Sequence, residues 1–454
     1  MNLMGWLGLL LLFTSAPQVW AREIRAGVAR IDITPEHSIW MSGYANRSKP
    51  SEGVVHKLWA KALAIEDGSH GKVVIVTTDI IGLPRAVSDA VAAQVGKKYG
   101  LERARLLLNS SHTHAGPVVR PNLATMYALS QQQQGVLDDY ARKLTGDLVN
   151  VTGAALGDLA PARISVGRGK AEFAINRRQS TPQGVRLGLN PGGPVDHDVP
   201  VIAVHGADGK LRAALFGYAC HNTTLGGDYY RIAGDYAGFA QHELESMRPG
   251  MTALFVLLCG GDQNPNPRGT LEHAAAHGKT LAAEVDRVLS AGTAPLTLDL
   301  RASLLVTQLA FAPHSREQFE EERKSTNVFR VRRAEQMLQA YDARAAVRNV
   351  LYPVQAIRLS RSLAILALGG EVVVDYALRA KKEYPDLDLI VAGYSNDVMC
   401  YIPSRRVLKE GGYEAVDSMV YYGQPGPFTE EVEETVFDAI YKALDRVGWK
   451  RKKR

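Results

Sequence analysis

The stretch KVVIVTTDIIGLPRAVSDAVAAQVGKKYGLERARLLLN, residues 72–109, decides the predicted fold. Its opening β-branched run predicts a strand, and its closing run ARLLLN predicts a second one. Between them a helix is predicted over 84–100, because Pro84 stands at its start and Gly100 just past its end. A helix between two buried apolar strands is typical of parallel pairing, so this stretch indicates a βαβ unit.

The same pattern recurs along the chain. Five apolar runs each lead into a polar loop rich in Gly, Asn, His or Asp: ARLLLN, LRAALFGYAC, MTALFVLLC, LAILALGG and DLDLIVAGYSND. Ligands of α/β sheets collect beyond the carboxyl ends of strands, so the five loops are predicted to share one site. The predicted fold class is α/β, a single large domain with a mixed, largely parallel central sheet and flanking helices.

The domain organisation follows from the composition. Residues 1–21 are predicted to be a signal peptide of a secreted or periplasmic protein, with an uncleaved membrane anchor as the alternative. Residues 22–449 are expected to form the domain. Within it, 316–349 are charged and predicted to be helical, a surface insertion for which a lid over the site is one interpretation. Residues 450–454 form a basic tail.

Charge and cysteine content exclude some classes of protein. The formal net charge is +6, and the last five residues, KRKKR, carry five of these charges, so the remaining chain is nearly balanced and predicts no nucleic-acid surface. The tail is expected to be solvated, with weak contact to an anionic membrane surface as the alternative. Three cysteines are too few for a disulfide scaffold and are predicted to be buried free thiols.

Histidines and a carboxylate supply the candidate chemistry. The loop NSSHTHAGP, residues 109–117, carries His112 and His114, and an isolated pair of this kind is most often a solvated polar loop. Later loops supply His221 directly after a strand and Glu371 after two glycines. Two histidines and a carboxylate from separate strand ends match an open zinc site. From the residues alone, a metal site and a structural role are about equally favoured.

Motifs spread over nearly the whole chain resemble the neutral/alkaline ceramidases, which are secreted or surface zinc amidohydrolases. Their order and combination are specific, although no single one is. In chain order, the matching segments are GVARIDITP, MSGYANR, NSSHTHAGP, INRR, HNTTLGGDYYRIAGDYAGFA, GGDQNPN, GGEVVVDYALR and VAGYSNDVMCYIPSRRVLKEGGYEAVDSMVYYG.

This resemblance implies a site with one zinc ion per chain, held by His112, His221, Glu371 and Tyr401. It implies that His114 carries a proton near the leaving amine. It also implies that Arg177 orients or polarises the substrate and that Tyr413 hydrogen-bonds the oxyanion. For Arg177 a surface salt bridge, and for Tyr413 a packed loop aromatic, are equally favoured alternatives.

The chain departs from the family pattern at GGDQNPN, where Asn264 occupies the position of the family's active-site serine. Asparagine cannot be an activated nucleophile, but it can hydrogen-bond an amide or an oxyanion. Metal-activated water is therefore the expected attacker. The family's C-terminal immunoglobulin-like domain is expected to be absent, because the chain ends soon after the YYG segment.

The predicted function is zinc-dependent hydrolysis of a linear amide bond in an N-acyl, sphingolipid-like substrate. Two alternatives stay open: a zinc esterase or amidase that acts on a non-lipid substrate, and a non-catalytic, metal-containing binding protein. The expected partner is a small-molecule or lipid amide and not a nucleic acid, and the sequence does not indicate an oligomeric state.

Overall fold

The computed structural model describes residues 23–451, so the predicted signal peptide at 1–21 and most of the basic tail lie outside the described residues. The β-strands are β1 (Arg25–Asp32), β2 (Gly53–Val54), β3 (Trp59–Glu66), β4 (Lys72–Thr78), β5 (Leu106–Ser110), β6 (Ala160–Lys170), β7 (Ala174–Thr181), β8 (Gly184–Asn190), β9 (Asp198–Gly206), β10 (Leu211–Tyr218), β11 (Arg231–Ile232), β12 (Thr252–Leu257), β13 (Gln263–Pro265), β14 (Ala294–Pro295), β15 (Leu298–Ala310), β16 (Asn349–Ser360), β17 (Leu363–Leu368), β18 (Glu371–Val372), β19 (Asp388–Ala392) and β20 (Tyr401–Ile402). The α-helices are α1 (Arg85–Tyr99), α2 (Gln131–Gly157), α3 (Asp235–Met247), α4 (Leu271–Ala291), α5 (Arg316–Glu322), α6 (Val328–Asp342), α7 (Asp375–Glu383), α8 (Arg405–Glu410) and α9 (Val432–Arg446).

The βαβ unit predicted from 72–109 is present as β4, α1 and β5. Strands β4 and β5 pair in parallel, as expected from the intervening helix. Pro84 precedes α1, and Gly100 ends it in the left-handed conformation with φ 67°, donating its N–H to the carbonyl of Gly96. A residue with a Cβ rarely adopts that φ, so Gly100 terminates the helix for a steric reason.

The central sheet is mixed, which confirms the predicted α/β class, but most of its pairings are antiparallel. Its strand order is β12-β10-β9-β6-β1-β3-β4-β5, with β14 beside β6. Pairing is parallel at the two ends, β12 with β10 and β4 with β5, and antiparallel in between. The expectation of a largely parallel sheet fails because short connections at 67–71 and 207–210 force neighbouring strands into hairpins.

A second sheet, in the order β15-β16-β17-β19, packs face to face on the first. Alternate residues of both sheets form the core between them, including Leu63 from β3 and Ile365 from β17. Helices α1 and α2 cover the outer face of the first sheet beside β3 and β4, α3 covers it beside β12, and α4 covers it beside β6 and β9. Helix α9 packs on β15 and β16.

The segment 316–349 is helical, with α5 and α6 packed against each other around a small core of Phe319, Ala334, Met337 and Leu338. The three cysteines, Cys220, Cys259 and Cys400, are buried and free, as predicted. Within residues 23–451, no helix has both the length and the apolar character needed to cross a bilayer.

Asn109, at the end of β5, joins strand ends from both sheets. Its Oδ1 accepts the N–H of Leu257 at 2.9 Å, and its Nδ2 donates to the carbonyl of Gly393 at 2.8 Å. The side chain has 0% exposure. Because water cannot replace these bonds, the amide fixes the relative positions of the ends of β5, β12 and β19.

We predict that Asn109→Ala destabilises the fold by about 3 kcal/mol, since it leaves the buried N–H of Leu257 without a partner and removes one of the two donors to the carbonyl of Gly393. Urea denaturation of the purified protein would measure the change. Asn349→Ala is the matched control, because Asn349 is exposed, and its effect should stay within about 0.5 kcal/mol. Equal effects of the two substitutions would contradict the role given to Asn109.

Candidate metal centre and substrate pocket

The loops after β5 and β10 and the short strands β18 and β20 bring the predicted ligands together. His112 follows β5, and His221 follows β10. Glu371 and Tyr401 begin β18 and β20, which pair in parallel so that these two residues stand side by side. Residues far apart in the chain therefore meet at one edge of the two sheets, as the strand-end pattern predicted.

The donor atoms of these four residues lie within hydrogen-bonding distance of one another. Glu371 Oε2 is 3.0 Å from His112 Nε2 and 2.9 Å from His221 Nε2. His221 Nε2 is also 3.1 Å from the Tyr401 hydroxyl. All four side chains are buried.

Hydrogen bonds on the far side of each imidazole fix its tautomer. His112 Nδ1 contacts the carbonyl of Ile81, and His221 Nδ1 lies 2.7 Å from the carbonyl of Gly260. A carbonyl only accepts, so each Nδ1 carries the proton and each neutral Nε2 presents a lone pair. Two lone pairs that face one carboxylate oxygen repel it and each other unless a cation or a shared proton lies between them. The donor set therefore fits a metal ion, and its nitrogen and oxygen chemistry is that of zinc ligands.

His114 lies next to this cluster. Its Nε2 is 3.1 Å from His112 Nε2, and its Nδ1 has no hydrogen-bond partner although it is buried. The three histidines His112, His114 and His221 form a buried group that could hold a metal ion. The ring fits because residue 43 is glycine, at φ 92°: a Cβ there would lie 2.2 Å from His114 Nδ1. Position 114 thus offers either a third nitrogen ligand or a free base.

Arg177, on β7, is buried and connects three parts of the site. It donates from Nη2 to the Tyr401 hydroxyl at 2.9 Å, from Nη1 to Asn264 Oδ1 at 3.2 Å, and from Nε to Glu414 Oε1 at 2.8 Å. With 4% exposure, Arg177 is not part of a surface salt bridge, so that alternative is wrong. Its ion pair with Glu414 is internal, and Glu414 also pairs with Arg178.

Asn264 and Tyr413 stand at the wall of the site. Asn264 Oδ1 accepts from both Arg177 and the Thr223 hydroxyl, the latter at 3.2 Å. The Tyr413 ring lies 5.5 Å from the Tyr401 ring, with the Arg177 guanidinium 5.7 Å from its centre. Because both contacts come from donors, the atom that they share is the amide oxygen of Asn264. The amide nitrogen, Nδ2, therefore remains available as a donor.

Burial dominates the protonation of the site. It is the main cause that lowers the pKa of His221 to about 4, with the Arg177 charge acting in the same direction. Burial alone would raise the pKa of Glu371, but the neighbouring His112 and His221 lower it well below its usual range. Burial also raises the pKa of Asp262, whose main-chain carbonyl accepts the N–H of Arg177, to about 6. The cluster therefore pairs a neutral His221 imidazole with an ionised Glu371 carboxylate.

Two residues that sequence analysis missed support the candidate ligands. The Tyr422 hydroxyl donates to Glu371 Oε1, which leaves Oε2 for the two histidines. Glu414 accepts a hydrogen bond from Arg177 and so holds it in position. Both residues lie inside the last matching segment, EAVDSMVYYG, but nothing in their spacing indicates which tyrosine or glutamate would contact the site.

A cavity of about 370 Å³ reaches this cluster through His114 and Tyr401. Much of its wall is apolar or aromatic, formed by Tyr44, Met126, Leu187, Leu189, Tyr413 and Tyr421. Polar groups enter it at four positions: Arg177, Thr223, Asn264 and Arg268. An apolar cavity with a few convergent polar groups is typical of a small-molecule site.

The helical segment 316–349 adjoins this cavity but does not supply any of the described residues that line it. The Phe329 ring of α6 lies 5.3 Å from the Tyr421 ring, and Arg332 donates to the carbonyl of Thr125 at 3.0 Å. The segment therefore supports the wall from outside. Its action as a lid stays a prediction.

Known proteins are similar to this chain in sequence and in fold. The chain is 28% identical over 253 residues to the neutral ceramidase of Pseudomonas aeruginosa, a match that covers 53% of this chain and 37% of that protein. It is 25% identical over 261 residues to neutral ceramidase A of Dictyostelium discoideum, covering 54% of this chain and 36% of that protein. The matched region thus spans little more than a third of these curated relatives.

A solved structure extends the likeness in fold. The crystal structure of neutral ceramidase from Pseudomonas aeruginosa superposes with a TM-score of 0.71, covering 95% of this chain and 75% of that one at 17% identity. Residues 24–332, more than half of the chain, match the family model described as neutral/alkaline non-lysosomal ceramidase, N-terminal. The chain therefore belongs to the neutral/alkaline non-lysosomal ceramidase family.

Proposed function

We propose that this protein is a zinc-dependent hydrolase that cleaves the linear amide bond of an N-acyl, sphingolipid-like substrate. The observation that carries the proposal is the convergence of His112 Nε2 and His221 Nε2 on a single oxygen of Glu371, next to His114 and Tyr401, which line an apolar cavity. Its family membership, and the printed names of its relatives, favour amide hydrolysis over ester hydrolysis.

One zinc ion would be held by His112, His221, Glu371 and Tyr401. When bound, it would supply a Lewis acid that polarises the substrate carbonyl and lowers the pKa of a water molecule. His114, whose buried ring places Nε2 3.1 Å from His112 Nε2 on the side of the candidate ligands, is available to take a proton from the attacking water. The same group would return that proton to the leaving nitrogen as the carbon–nitrogen bond breaks, so the products are a carboxylic acid and an amine.

The substrate carbonyl would be held by donors from the cavity wall. Asn264 is the best placed of these, because its Oδ1 is occupied by Arg177 and Thr223 and its Nδ2 is free to donate. Tyr413 is the second proposed donor. Arg177 uses its Nε, Nη1 and Nη2 on protein groups, so we assign it the positioning of Asn264 and Tyr401.

The apolar wall residues Leu187, Leu189 and Met126 would contact the acyl chain. This wall favours a lipid-like amide over the alternative of a fully polar substrate.

We also propose that the protein acts outside the cytoplasm, as its predicted N-terminal signal peptide indicates, and that the basic tail makes at most weak contact with a membrane.

We predict that the purified protein contains about one zinc ion per chain, hydrolyses N-acyl amides, and loses both properties in His221→Ala. Inductively coupled plasma mass spectrometry measures the metal, and release of free fatty acid from N-acyl amides of different chain length measures turnover. His37→Ala is the control, because His37 is exposed and lies outside the cluster. A metal-free wild type, or a His221→Ala variant that matches it, would overturn the proposal.

Tyr422→Phe should weaken zinc binding about 10- to 100-fold, the usual effect of removing a partner of a metal-ligating carboxylate. Competition with a chelator measures this affinity. Tyr421→Phe serves as the control, since Tyr421 is the neighbouring tyrosine but its hydroxyl does not contact Glu371. The two variants should have the same free energy of unfolding when they are free of metal. If the two variants retain zinc equally, Tyr422 does not position Glu371.

Asn264→Asp should lower kcat roughly 100-fold and leave zinc content unchanged, because the carboxylate keeps an acceptor for Arg177 and Thr223 but removes the donor. Steady-state kinetics on an N-acyl amide would show the loss. Full activity in Asn264→Asp would remove Asn264 from the mechanism. An inactive wild type that gains activity in Asn264→Ser would instead favour a binding protein that has lost turnover.

A further inference from the structure

The cavity carries positive charge that its own wall does not balance. Arg177 and Arg268 line it, and none of the described residues that line it is an aspartate or a glutamate. The Arg177 charge is compensated by the buried Glu414 behind the wall. Arg268 has no such compensation: no carboxylate in residues 23–451 lies within ion-pair distance of it.

Arg268 is nevertheless held in place. It lies in the exposed loop after β13, and its Nη2 donates to the Tyr44 hydroxyl at 3.0 Å. Tyr44 is itself a wall residue and donates to the carbonyl of Leu225 at 2.7 Å. The Arg268 guanidinium therefore lies at the rim of the cavity, where its hydrogen-bond partner is the neutral Tyr44 hydroxyl. Its remaining N–H groups are available as donors.

A second positive charge lies behind the same wall. Arg47 has 5% exposure, and its guanidinium lies 5.1 Å from the centre of the Tyr44 ring. It donates to three main-chain carbonyls, including that of His114 at 2.7 Å, and to no carboxylate. These carbonyls accept from Nη1 and Nη2 but leave the charge in place, and the buried Nε has no hydrogen-bond partner. Arg47 and Arg268 therefore favour an anion over an ammonium group at this part of the cavity wall.

We propose that the substrate carries an anionic group on its amine portion, as an N-acyl amino acid does, and that Arg268 binds this carboxylate. The inference rests on the proposed hydrolysis of an N-acyl amide, and it replaces the sphingolipid-like amine portion of that substrate with an anionic one. The apolar wall takes the acyl chain, and Asn264 takes the amide carbonyl. The charged end then meets Arg268, which among the described residues that line the cavity is the arginine without a carboxylate partner and offers the paired N–H geometry that a carboxylate prefers. Water adds to the carbonyl, and the products are a fatty acid and an amino acid.

The test compares N-palmitoylglycine with N-palmitoylethanolamine, which replaces the carboxylate by a neutral hydroxymethyl group. We expect kcat/KM of the zinc-loaded wild type to be about 10- to 100-fold higher for N-palmitoylglycine, the range of a hydrogen-bonded charge pair. Arg268→Gln should abolish this preference mainly through KM, and Arg268→Lys should retain part of it. Because a rim charge is screened by ions, the preference should also fall as salt is raised.

Arg186→Gln is the control variant. Arg186 is an exposed arginine on β8 whose Nε contacts Gln179, and it is not among the residues that line the cavity. It should keep the wild-type preference. Equal hydrolysis of both substrates, or a preference that Arg268→Gln leaves intact, would overturn the inference and leave amide hydrolysis standing. If the zinc-loaded enzyme cleaves neither substrate nor any other N-acyl amide, the proposed function fails and the inference fails with it.

Discussion

The buried side-chain amide of Asn109 is the contact on which the site depends. It bonds to β12 at Leu257 and to the segment after β19 at Gly393, so it holds the ends of three strands from two sheets at one edge. Each of these ends leads into a loop of the site. His112 follows β5, and Tyr401 follows β19. Gly260 follows β12, and its carbonyl accepts a hydrogen bond from His221 Nδ1. A shift of any one strand would separate the candidate ligands.

At that edge, several hydrogen-bond acceptors lie close together and repel one another. Main-chain carbonyls fix the protons of His112 and His221 on the far side of each ring, and burial keeps the pKa of His221 low, at about 4. The lone pairs then face Glu371. Such a cluster is stable in a low-dielectric interior only with a cation or a shared proton at its centre. Tyr422 and Arg177 hold the oxygens around that centre, and the apolar cavity reaches the cluster at His114 and Tyr401.

The sequence predicted the parts of this arrangement that local pattern determines. Strand ends followed by His112, His221 and Glu371 were recognisable because apolar runs stop there and polar loops begin. The pairing directions were harder to predict: short hairpin connections at 67–71 and 207–210 make the central sheet mostly antiparallel. Contacts between residues that are far apart in the chain could not be predicted from the sequence pattern. Arg177 was open to interpretation as a surface residue because Glu414, 237 positions away, is visible as its partner only in the folded chain.

Anomalous scattering at the zinc edge, from crystals of the protein as purified, would show directly whether the cluster holds zinc. We expect one peak per chain, about 2 Å from the Nε2 atoms of His112 and His221 and from oxygens of Glu371 and Tyr401, with His114 outside the coordination sphere. A peak bound by His112, His114 and His221 without Glu371 would contradict the assignment of ligand and base. The absence of any peak at the cluster would contradict the account as a whole.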